Sequence, residues 1–128
     1  MNNLNKNYEI RDKIIFGDEK IHWVGGIAYF YKLSLEKIEI LLKNNFIDLN
    51  SKHGESSTAE DFLNYMRRHS ALACGYVVSH HRSDYRMIIT GLIFEGKVSS
   101  EMKKDFVYMS QNADELEVQD DKLLSSWH

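Results

Sequence analysis

Proline is missing from this chain of 128 residues, and cysteine occurs once, at Cys74. The first absence stands against an average usage of about 5%, and no function follows from it. The second excludes an intrachain disulfide and suits a reducing compartment. No apolar run approaches the roughly 18 residues that a membrane-spanning helix needs. The opening segment, MNNLNKNYEIRD, lacks the hydrophobic core of a secretory signal. These features lead to the expectation of a cytoplasmic protein without membrane contact. Excess positive charge is also missing: the net charge is −3, which weighs against broad binding of nucleic acid. The length suits one domain, 1–128, that can bury roughly 68% of its unfolded surface, with residues 1–7 frayed.

What is present centres on Ala73 to Glu95, ACGYVVSHHRSDYRMIITGLIFE. Leu72–Ser79 and Tyr85–Phe94 are rich in aromatic and β-branched residues, as strands are. Between them, His80 to Asp84 contains no apolar residue, and its length suits a hairpin loop built on a type I turn. Alternate residues of a strand face opposite ways. One face of the second strand would hold Tyr85, Met87, Ile89, Gly91 and Ile93, the other Arg86, Ile88, Thr90, Leu92 and Phe94. Both are largely apolar, whereas a strand with one wet face alternates cleanly. The expectation is a strand covered on both sides, by its own chain or by a second subunit in a homodimer.

Around this hairpin the pattern predicts helices over about 35–44, 58–69 and 100–113. Ser34 is a suitable N-cap, and Leu35, Ile38, Leu41 and Leu42 recur at helical spacing. Asn44-Asn45 can close that helix with a left-handed residue, and Phe46 can pack back over the end. Ser57 and Glu60 have capping-box spacing, ahead of an apolar stripe of Ala59, Phe62, Leu63 and Met66. Met102, Phe106 and Met109 carry the third helix, with a strand across Phe106–Met109 as the alternative. Residues 8–24 are predicted to form an N-terminal hairpin around Gly17-Asp18-Glu19, with a short helix over Trp23–Tyr31 competing. Gly25-Gly26 there marks a turn or a close packing point, not a phosphate loop, because no Gly-Lys-Ser/Thr follows. Leu123, Leu124 and Trp127 lead to the expectation that the C-terminus docks, since a disordered tail rarely carries such residues. The predicted fold is α+β: a small antiparallel sheet centred on the 73–95 hairpin and packed by those helices.

The chemistry worth placing lies at the hairpin tip: His80, His81, Arg82, Asp84 and Arg86. Histidine titrates near neutrality, and arginine presents a fork matched to carboxylate or phosphate. The patch suits a small anion or an acidic partner surface, unless it is a turn that is polar only because it is solvated. Arg67 and Arg68 would enlarge it if the second helix ended nearby. No metal is expected, since the adjacent His80 and His81 would face opposite ways on a strand and no paired ligand spacing occurs. No cofactor is expected either. No G-x-S-x-G elbow is present, and Cys74 suits a buried strand position better than a nucleophile. A helix-turn-helix is disfavoured, because about fourteen residues separate the first two helices where that motif uses a turn of three to four. The second also opens with acids that would repel phosphate. The expected role is a non-catalytic binding or interaction module that self-associates. An enzyme or anion binder using the tip is the alternative, and a DNA-binding protein a lesser one.

Overall fold

The computed structural model describes residues 4–128. Among them, four helices and five strands follow in order: α1 (Tyr8–Phe16), β1 (Ile27–Leu33), α2 (Leu35–Lys43), α3 (Ala59–Arg68), β2 (Leu72–Val78), β3 (Arg86–Glu95), α4 (Ser100–Met109), β4 (Glu115–Val118) and β5 (Lys122–Ser126). The strands form one antiparallel sheet in the order β1-β2-β3-β5-β4. The α+β class and the central hairpin are therefore as expected. No helix among the described residues is long and apolar enough to cross a membrane.

Local chemistry explains most of the boundaries. Ser34 accepts from the Lys37 amide and opens α2. Asn45, at φ 63°, ends that segment in the left-handed region, and Phe46 packs back in full burial. The capping box of α3 lies one residue later than expected, between Thr58 and Asp61. Ser99 caps α4, which stops at Met109 and does not run on to residue 113.

Three segments differ from expectation. Residues 8–16 are a helix, not the first arm of a hairpin. Asn7 accepts from the Ile10 amide at 3.3 Å and caps it, and its buried side is Arg11, Asp12 and Ile15. Two of those three are charged, so the inward stripe has no hydrophobic period. Residues 27–33 are a strand, not part of a helix over Trp23–Tyr31. Gly25 and Gly26 have φ of 61° and 80°, which a helix cannot accommodate, and Val24 and Ile27 exchange backbone hydrogen bonds across them. The glycine pair is thus a turn. The C-terminus docks, but as the β4–β5 hairpin: Leu123, Ser125 and Trp127 alternate inward, and Trp127 meets Phe62 edge to face at 5.6 Å. Of the segment expected to fray, residues 1–3 lie outside the described residues. Leu4 is buried, and the Asn5 amide donates to the Asn45 carbonyl.

The two-faced apolarity of β3 has a specific cause. Gly91 lies opposite Cys74 and Ile89 opposite Gly75, so Thr90 has no partner on β2. That extra residue is a β-bulge, which exchanges inward and outward positions along the strand. Met87 and Ile89 before it, and Leu92 and Phe94 after it, all pack into the cluster that includes Ile38, Phe62, Leu63 and Phe106 from the helices. On the opposite face Ile88 is the one buried side chain, against Tyr76 and Val78 of β2 with Ile27 beside them, and Gly91 is buried without a side chain. One chain therefore accounts for the burial of β3 without a second subunit.

Backbones crowd closely beside the bulge. A Cβ on Gly91 would lie 2.0 Å from the Ser125 carbonyl oxygen, closer than any real contact. Gly91→Ala is expected to cost about 1–3 kcal/mol by forcing β3 from β5. Ile89→Asp, which places an unpaired carboxylate in the helix-facing core, is expected to cost roughly 4 kcal/mol or more. Urea melts of both variants check these values, and a wild-type midpoint for Ile89→Asp would refute the core assignment.

Candidate functional site

The hairpin tip does not project into solvent alone. It packs against α1 and against the segment that carries Trp23 into β1, and the three enclose a cleft of about 660 Å³. From α1 come Tyr8, Glu9, Asp12 and Lys13, from the following segment Ile21 and Trp23, and from the tip His80, His81 and Arg82. The structure thus brings three of the five predicted residues to one cavity. Asp84 and Arg86 lie outside it and hold the loop together.

A turn begins the loop: the Ser79 amide donates to the Gly26 carbonyl at 2.7 Å and the Arg82 amide to the Ser79 carbonyl at 3.0 Å. Arg82 then folds back on Asp84 with both prongs of its fork, Nε to Oδ1 at 2.8 Å and Nη2 to Oδ2 at 2.7 Å. Its Nη1 reaches the Gly25 carbonyl at 3.0 Å. Gly26 has no side chain to obstruct this: a Cβ there would lie 2.6 Å from Arg82 Cδ. Arg86 Nη1 donates to the same Asp84, to the backbone oxygen and to Oδ2, both at 3.0 Å. The Arg82 guanidinium, then that of Arg86, holds the Asp84 carboxyl below the usual carboxylate range. The whole Arg82 fork and one arm of Arg86 are engaged by protein, so the charge that suggested an anion site is largely used within the loop.

The histidines are arranged differently. Tyr8 stacks on His80 with centroids 3.5 Å apart and planes 5° from parallel, and His81 follows at 3.8 Å with a 40° tilt. Arg11, from the same helix as Tyr8, is 1% exposed. Its Nε donates to Asp12 Oδ1 at 2.9 Å and its Nη1 to the Val78 carbonyl at 3.0 Å. The guanidinium lies 4.6 Å from the ring centroid of Tyr85, whose phenol is pushed up by burial. An arginine removed from water needs such partners, and they fasten α1 to the end of β2.

Elsewhere, His69 at the end of α3 meets Asp105 of α4, Nε2 to Oδ2 at 2.8 Å. His69, then Arg68, draws the Asp105 carboxyl below its ordinary range. With Glu101 these groups bring three ligand atoms within 4.8 Å of one another, the arrangement among the described residues that could hold a metal. Arg68 Nη2 already supplies the positive charge there, 3.0 Å from Asp105 and 3.8 Å from Glu101. Neither Arg67, which pairs with Glu39, nor Arg68 enlarges the tip. Cys74 is half-buried on the open sheet face, in a separate cavity of about 570 Å³ with Tyr29, Tyr76 and Thr90. Among the described residues, histidine ring nitrogens bond to Tyr76, Asp105 and Glu115, and none to a serine or cysteine side chain. Family models, curated proteins and solved structures provide no match to this chain.

Asp84 and Asp105 make a prediction about acid. Their folded pKa values lie below the ordinary carboxylate value of about 3.9, so they contribute stability above about pH 4 and lose it as pH falls through the lowered values. Both groups meet solvent, so the contribution is small and screened by salt. Asp84→Asn is expected to flatten the fall of Tm between about pH 5 and pH 2. A curve parallel to wild type would show that the Arg82–Asp84–Arg86 network does not stabilise the fold.

Proposed function

We propose that the protein is a small cytoplasmic binding module without catalytic machinery, and that its ligand seats in the cleft between α1, the Trp23 segment and the hairpin tip. The observation that carries this reading is the cleft itself. At about 660 Å³ it falls within the roughly 300–1,000 Å³ of small-molecule sites. Its walls come from three separate segments, and each is held: α1 by Arg11, the tip by Asp84, the glycine turn by Arg82 at Gly25 and Ser79 at Gly26. A pre-formed cavity of that kind costs little to order on binding. An anionic ligand, the alternative from sequence, would have to rely on His80 and His81, because Asp84 holds Arg82 and Asp18 pairs with Lys13. A homodimer is a second reading. It is favoured by the open sheet face, where Tyr29 and Tyr31 are 59% and 75% exposed, far more than a strand needs for its own packing.

Two-dimensional amide NMR with a set of small heteroaromatic fragments tests the first reading. Shifts are expected to gather on Tyr8, Trp23, His80 and His81, and Trp23→Ala is expected to weaken the best fragment by about tenfold. Shifts confined to Tyr29, Cys74 and Leu124 would move the site to the open sheet face and overturn the proposal.

A further inference from the structure

We propose that the cleft selects an organic cation, a protonated amine carried on an apolar body; this rests on the reading of the cleft as a ligand site. The main support is Asp12. It is nine-tenths buried yet lines the cleft. Arg11 takes its Oδ1. Its Oδ2 accepts from no described residue, and it is not among the buried polar atoms that lack a partner. That oxygen therefore keeps contact with solvent, on a residue that lines the cleft. A carboxylate oxygen in such a place accepts a hydrogen bond, and a charged donor makes the strongest one.

The remaining charges point the same way. Glu9 lies one turn before Asp12 on α1, at a spacing that puts both on one side of the helix. It lines the same cleft and forms no ion pair among the described residues. The two cations that line the cleft are already matched, Lys13 with Asp18 at 2.9 Å and Arg82 with Asp84 at 2.7 Å, and Arg11 behind them pairs with Asp12. Of the charged residues that line the cleft, Glu9 is the one left without an ion pair among the described residues. Trp23 and Ile21 offer apolar wall, and an indole face attracts a cation directly. An ammonium end would meet Asp12 and Glu9 while its hydrocarbon body lay along Trp23.

Three matched probes test this on the full chain by amide NMR near neutral pH: phenethylammonium, 3-phenylpropionate and neutral 3-phenylpropanamide. Phenethylammonium is expected to shift Tyr8, Asp12 and Trp23, with an affinity about tenfold or more above that of the anion. Its binding should weaken as salt rises. Asp12→Asn deprives Arg11 of its buried counter-charge and is expected to destabilise the fold, so Glu9→Gln carries the variant test. That exposed change should leave Tm unaltered and weaken phenethylammonium roughly two- to fivefold, without affecting the amide probe. Equal or tighter binding of the anion or the amide at these residues would overturn the cation selectivity and leave the cleft as a site. Silence from all three probes at about 10 mM, beyond the millimolar range of weak ligands, would overturn both.

Discussion

A guanidinium removed from water determines how this molecule is assembled at the end of the sheet that carries the cleft. Arg11 is buried almost completely, and a charge in that position is tolerated only if it is paired and hydrogen-bonded. Asp12 supplies the pair, the Val78 carbonyl a second bond, and the Tyr85 ring a face. These contacts join α1, the last residue of β2 and the residue that leads into β3. Removing one partner of such a pair typically costs about 3–5 kcal/mol; the pair itself lies within α1, and the contacts to Val78 and Tyr85 fix where the helix lies. The cleft follows from that placement, because α1 forms one wall and the hairpin tip the other.

The tip is a structural counterpart of the same kind. Arg82, Asp84 and Arg86 form a closed set, and the turn at Gly25-Gly26 admits Arg82. Residues that suggest an anion site when viewed in a row are instead the means by which a seven-residue connection holds one shape. The two histidines are left facing the cavity, one of them stacked on Tyr8. A cleft results whose lining cations are answered by neighbouring carboxylates, with Asp12 among its lining residues.

Much of the fold was legible in the residue pattern. The α2 and α3 stripes, the cap at Ser34, the left-handed close at Asn45 and the central hairpin all obey local rules that a single sequence displays. The failures have physical causes. In α1, Arg11 and Asp12 occupy inward positions where periodicity demands apolar residues, so the helix is invisible to that criterion even though Asn7 marks its start. In β3, one unpaired residue at Thr90 exchanges the faces, and an apolar pattern on both sides then suggested double coverage or a partner. The C-terminal strands were hidden because Leu116 continues the helical spacing of α4, although Leu123, Ser125 and Trp127 carry a period of two. The site was half legible: His80, His81 and Arg82 stood out as a cluster, while Tyr8, Glu9 and Asp12 became part of it only once α1 was a helix packed on the tip.

Protection of the Arg11 side chain is the most direct measure of whether α1 is seated as described. The account predicts a slowly exchanging Arg11 Nε–H with cross-peaks to the Tyr85 ring, and α1 amides that exchange no faster than those at the edge of the sheet. An Arg11 Nε–H that exchanges as in a free peptide, with no Tyr85 contact, would detach α1 from the sheet and contradict the cleft.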